Sequence, residues 1–205
     1  MTPQSLTPLE LVFISLIYYA NAAIVGAIVA FIVLILVRLA LNYADVNPFS
    51  RPVHRVRSMT DPFLTPVKRA LMGFGFKPTM APLVTILIAV LVGWLATKLV
   101  TDVLSTILGA IVAARLGRFV AVVGTLLYGF LSVYSLLIFA RIIFSWGMVS
   151  HRNRVMRFLV DVTEPLLGPL RRIVPPLGMM DISPIVAFLI IWLFQQAIAG
   201  TLLRF

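Results

Sequence analysis

The chain has 205 residues, 61% hydrophobic and 12% charged, with a mean hydropathy of +1.07, which excludes a soluble globular domain. It has no cysteine, so disulfides, thiolate chemistry and Cys metal ligands are excluded too. The net charge of +10 gathers in two stretches, 51–77 and 152–172, the pattern of loops kept on the cytoplasmic side of a membrane rather than of a nucleic-acid surface.

The N-terminus, MTPQSLTPLE, has no basic region before its apolar run, so it reads neither as a cleavable signal nor as a transit peptide. The first apolar run, Leu9 to Leu41, would be about 50 Å long as one helix, longer than a bilayer core. Tyr18, Tyr19 and Asn21 mark an interface, so the predicted span begins near Ala22 and 1–21 is an interfacial lead-in that either lies on the surface or protrudes. Further spans are predicted at about Pro82–Val100, Val120–Phe144 and Ser183–Leu203. Between the second and third, 101–119 is predicted as a separate amphipathic linker on the outer side, with Leu104, Ile107, Leu108 and Ile111 on one face.

These runs are continuously apolar, as membrane helices are and barrel strands are not. The expected fold is therefore an all-α membrane protein with four transmembrane helices. Loops 42–81 and 145–182 carry eleven of the seventeen Lys and Arg, which predicts both loops cytoplasmic and both termini outward. Lys98, Arg115 and Arg118 oppose that bias.

An internal repeat organises the chain. At an offset of 103, Arg38 falls on Arg141, Arg51 on Arg154 and Thr60-Asp61-Pro62 on Thr163-Glu164-Pro165. Leu64 falls on Leu167, Pro66 on Pro169, and Lys68-Arg69 on Arg171-Arg172; after a one-residue gap, Pro82 meets Pro184. Each copy (22–100 and 120–205) is helix, basic amphipathic loop, helix. Two spans per copy make the repeat parallel, with a pseudo-two-fold axis along the membrane normal.

In TEPLLGPLRRIVPP, Thr163 is predicted to cap a helix that breaks or restarts at Pro169 and ends at Pro175-Pro176. Its leucines suit the headgroup layer, with Arg171 and Arg172, like Lys68 and Arg69, on lipid phosphates. Such an element is either a membrane-surface anchor or a docking surface for a partner. Arg38 and Arg141 near their span ends either snorkel or pair with the acid 23 residues on, Asp61 and Glu164.

Gln195 and Gln196, a polar pair within a span, are expected to hydrogen-bond another helix. Ala22, Gly26 and Ala30, and separately Ala89 and Gly93, offer small-residue faces for helix contact. His54 and His151 read as solvated residues rather than ligands. With no Ser/His/Asp set, paired catalytic carboxylates or Gly-rich phosphate loop, the expectation is a protein that is not an enzyme and uses no cofactor or metal.

The stretches NPFS at 47–50, TDPFLTPVKR at 60–69 and TEPLLGPLRRIVPPLGMMDISPIVAF at 163–188 resemble the YggT family of membrane proteins, related to YlmG proteins of bacteria and plastids. The first copy departs from the family pattern: ALMGFGFKPTMAP carries no acid where Asp181 stands in the second. The resemblance implies a bacterial plasma (inner) membrane location and a scaffold or assembly factor, as plastid members look like participants in covalent haem attachment to cytochrome b6. The expected partners are anionic lipid headgroups, from the basic amphipathic loops, and other membrane proteins or a second copy of the chain, with no nucleic acid. A small transporter or channel component is the other reading, from the parallel repeat and the osmotic-stress roles of some relatives.

Overall fold

The computed structural model describes residues 7–44, 50–73, 75–146, 153–174 and 181–204. Among them are six α-helices: α1 (Pro8–Tyr43), α2 (Arg51–Gly73), α3 (Ala81–Arg115), α4 (Phe119–Trp146), α5 (Arg154–Ile173) and α6 (Ser183–Thr201). A single 3₁₀ turn, Pro78–Met80, leads into α3. Four of the helices, α1, α3, α4 and α6, are long and apolar enough to cross a membrane. The chain is thus a multi-pass helical membrane protein, with α2 and α5 as amphipathic helices inside the two basic stretches.

Both sequence-based divisions fall within continuous helices. Of the two readings of the lead-in, the continuing helix is the one seen: α1 runs unbroken over 36 residues, because nothing between Pro8 and Gly26 interrupts the backbone ladder. It starts with a reciprocal cap, in which Glu10 N–H donates to Thr7 Oγ1 (3.4 Å) and Thr7 N–H to Glu10 Oε2 (2.8 Å). Of the linker over 101–119, residues 101–115 are the C-terminal part of α3, which runs 35 residues. Lys98 and Asp102 pair one turn apart at 2.8 Å, bracing the helix where the break was expected. The chain turns instead at Leu116–Arg118, where Gly117 adopts φ +69°, a conformation in which glycine has no Cβ to clash.

The chain divides into two compact units, Tyr19–Thr97 and Met1–Tyr18 with Lys98–Phe205. In the first, Phe31 of α1 meets Phe63 of α2 edge to face at 4.9 Å, and a Cβ on Gly93 of α3 would lie 2.8 Å from the Ile28 side chain. In the second, Ile138, Leu167, Ala187 and Ile191 form a core that draws α4, α5 and α6 together. The C-terminal part of α3 packs there on α4 through two glycines: Gly109 faces Thr125, and Gly129 faces Thr106.

The same register positions are buried in both units. Ile35 and Ile138, Leu64 and Leu167, and Thr60 and Thr163, each pair 103 apart, are at most 1% exposed. The Ala89–Gly93 face is used in packing, since Ala89 is buried and Gly93 meets Ile28. The Ala22–Gly26–Ala30 face is not, being exposed within the chain. Gln195 does bond another helix, donating from Nε2 to Ser132 Oγ of α4 at 2.9 Å.

Candidate functional site

Amphipathic spacing makes α5 a helix in spite of its prolines. Met156, Leu159, Thr163 and Leu167 are its buried residues, three or four apart, while Pro165 and Pro169 lie one turn apart on the exposed face. There the carbonyls left without donors open toward the surroundings rather than into the core. The expected break at Pro169 therefore does not occur, and α2 carries Pro62 and Pro66 internally in the same way. Nor does Thr163 cap a helix. Asn153 caps α5, accepting from Val155 N–H at 2.9 Å, while Arg171 and Arg172 occupy the last turn against the negative end of the dipole. Pro175 and Pro176 lie outside the described residues, as do Asn47–Phe49 and His151. His54 is exposed on α2.

Thr163 has a different task. Its hydroxyl donates to Leu159 O at 2.6 Å and accepts from Arg141 Nη1 at 2.7 Å, while Arg141 Nη2 reaches Glu164 Oε2 at 2.7 Å. Arg141 is 8% exposed, so threonine and carboxylate supply the partners a buried guanidinium needs. The first unit repeats the arrangement: Thr60 Oγ1 donates to Val56 O at 2.7 Å, and Arg38 Nη1 reaches Thr60 Oγ1 at 2.5 Å and Asp61 Oδ1 at 2.7 Å. Of the two readings of these arginines, ion pairing is the one seen; the two threonines were not legible as partners.

The four basic residues on the helix ends differ in setting. Arg171 is tied to Asp181 (2.7 Å) and Glu164 (3.4 Å), so the second unit holds a chain Arg141–Glu164–Arg171–Asp181. Burial pushes the Asp181 carboxyl up, but bonds from the Ser183 hydroxyl and backbone N–H and from Arg171 outweigh it and hold it below the usual range. Lys68, Arg69 and Arg172 have no ion pair among the described residues.

Besides the two pairs of Arg171, two more lay outside the sequence reading. Glu10, 4% exposed, meets Arg115 at 3.0 Å, and Lys98 meets Asp102. Only acid–base spacing one turn apart could have signalled the second; the first joins residues far apart in the chain. No cluster of three or more His, Cys, Asp or Glu suited to a metal occurs among the described residues.

The helical hairpins, each holding an amphipathic helix through a buried arginine, define a class of small multi-pass membrane protein. A family model described as CCB3/YggT matches residues 120–202. An uncharacterised protein of Pseudomonas aeruginosa, PA0392, is 33% identical over 178 residues, covering 86% of this chain and 85% of that one. The uncharacterised YggT of Escherichia coli K12 is 34% identical over 61 residues, 29% of this chain and 32% of that protein. The chloroplastic YlmG homolog protein 2 of Arabidopsis thaliana is 34% identical over 76 residues, 37% of this chain and 30% of that protein. This chain belongs to the YggT family. No solved structure matches it. None of these three names is that of an enzyme.

Proposed function

We propose that this protein is a non-catalytic membrane scaffold or assembly factor of the bacterial inner membrane, docking a membrane protein complex through α2 and α5. The observation that carries the reading is the pair of braces, Arg38 on Thr60 and Asp61, and Arg141 on Thr163 and Glu164. A helix that served only as a floating surface anchor would not need its middle fixed to a buried guanidinium. Fixing it aims the basic residues toward the C-terminal ends, Lys68-Arg69 and Arg172 above all, at anionic headgroups or at the acidic surface of a partner.

The test is purification of the full chain from its native membrane in mild detergent, with identification of the proteins that come with it. A stable, stoichiometric partner lost on Lys68→Glu with Arg172→Glu supports docking. A chain that purifies alone as an oligomer and conducts ions in liposomes would replace scaffolding with the transport reading.

A further inference from the structure

Of the positions at which the two copies differ in charge, one lies where the last helix of each copy begins. In the second, Arg171 is held by Asp181, which also accepts from Ser183 N–H (2.9 Å) at the start of α6. In the first, Lys68 stands at the Arg171 position and, one residue short of the same offset, Thr79 stands at the Asp181 position. The helix start needs no carboxylate there, because Ala81 N–H donates to Pro78 O within the 3₁₀ turn. Lys68 therefore lacks the anion that its counterpart has, and no hydrogen bond or ion pair of Lys68 occurs among the described residues.

A cavity of about 380 Å³ lies at that place, lined by Arg38, Asn42, Lys68 and Thr79 together with Leu39, Leu64, Pro78 and Pro82. Arg38 spends Nη1 on Thr60 and Asp61, and Asn42 Oδ1 accepts from Arg57 at 2.9 Å. Beside the other N–H groups of Arg38, the lining offers a guest the Lys68 ammonium, the Asn42 amide N–H groups and the Thr79 hydroxyl, a set of donors with a net positive charge. Of the apolar lining, Leu39, Pro78 and Pro82 belong to the ends of helical spans whose other residues suit hydrocarbon. A guest carrying both an anion and an acyl chain satisfies the two sides together; a free anion satisfies only one.

We infer that this cavity binds the phosphate of an anionic phospholipid, which supplies to Lys68 the negative charge that Asp181 supplies to Arg171. The inference rests on α2 being a membrane-surface helix, as in the function proposed above, and adds the ligand and its seat. It makes the first unit lipid-dependent and the second self-sufficient.

The test is a thermal-unfolding titration of the full chain in dodecylmaltoside with dioleoylphosphatidylglycerol, dioleoylphosphatidylcholine or inorganic phosphate. Phosphatidylglycerol should raise Tm saturably, while the other two should not. Lys68→Gln should weaken that response at least about fivefold, the scale of one basic contact to an anionic lipid. Thr79→Asp, which rebuilds the internal carboxylate, should abolish the response and raise the lipid-free Tm. Because it is expected to stabilise the fold, loss of binding in Thr79→Asp would not reflect unfolding. Equal stabilisation by inorganic phosphate or phosphatidylcholine, or a Thr79→Asp response equal to that of the unaltered chain, overturns the assignment. A chain that keeps its partner in mild detergent but shows no saturable lipid response removes the pocket alone. One that binds phosphatidylglycerol and captures no partner removes the scaffold and leaves the pocket.

Discussion

Arg141 donates to the Thr163 hydroxyl at 2.7 Å, across 22 residues of chain, and the threonine passes its own proton on to Leu159 O. The hydroxyl is thus acceptor and donor at once in a site that is 0% exposed. Thr163→Val keeps the shape and removes both bonds, leaving a buried guanidinium one partner short. A loss of about 1–3 kcal/mol is expected, since an unsatisfied buried charge costs more than a lost neutral bond. Thr163→Ser should recover most of it. Chemical unfolding in detergent micelles of the three chains measures this directly, and a Val variant as stable as the native chain would show that Arg141 does not depend on Thr163.

The ion pair beside it makes a separate prediction. Glu164→Arg places a cation next to Arg141 and Arg171 and should destabilise the protein; Arg141→Glu alone should do the same. The double reversal restores opposite charges and should recover part of the loss, with a coupling of about 0.5–3 kcal/mol between contacting residues. Recovery should be incomplete, because the reversed pair leaves Arg171 without Glu164 and Thr163 facing a carboxylate. Strict additivity of the two single effects would mean that the pair contributes nothing.

Much of this arrangement was legible before any coordinates. Four long apolar runs gave four long apolar helices, and the equal spacing of Arg38–Asp61 and Arg141–Glu164 marked pairs that the structure forms. What escaped was anything decided by tertiary support. Pro169 breaks an isolated helix, but in α5 it sits opposite the packed face. Thr163 before Glu-Pro reads as a cap, yet the helix had already begun at Arg154. Glu10 and Arg115 are joined by no spacing rule, only by the folding that brings α1's first turn to α3's last.

Asp181 gives the protein an acid limit. Its carboxyl is held below the ordinary 3.8, so its contribution is fully present above that value and is lost as pH falls through the lower value of the folded state. Unfolding temperatures measured from pH 6 down to pH 3 should show the native chain ahead of Asp181→Asn, with the gap closing at the acid end. A gap that widened on acidification would contradict the sign.

Helix packing in the second unit depends on Gly129. A Cβ there would lie 2.7 Å from Thr106 Cβ and closer still to its Oγ1 and Cγ2. Thr106 cannot simply rotate away, since its hydroxyl donates to Asp102 O at 2.6 Å. Gly129→Ala should cost about 1–3 kcal/mol by overpacking, despite alanine's better helix propensity. Thr106→Ala in the same chain should relieve only part of that cost, because the 2.7 Å contact with the Cβ of residue 106 remains. Unfolding in detergent would show this as a favourable coupling, and a Gly129→Ala chain more stable than the native one would mean that α3 and α4 part freely.

The orientation prediction follows from charge. Eleven of the seventeen Lys and Arg lie in 42–81 and 145–182, so these segments should stay cytoplasmic. Lys98, Arg115 and Arg118 oppose the bias but are outnumbered. With no native cysteine, single replacements report cleanly on sidedness. Ser58→Cys on exposed α2 and Ser150→Cys should be shielded from an impermeant thiol reagent in intact cells, and Thr2→Cys should react. Outside labelling of Ser58→Cys in the otherwise native chain would reverse the assignment.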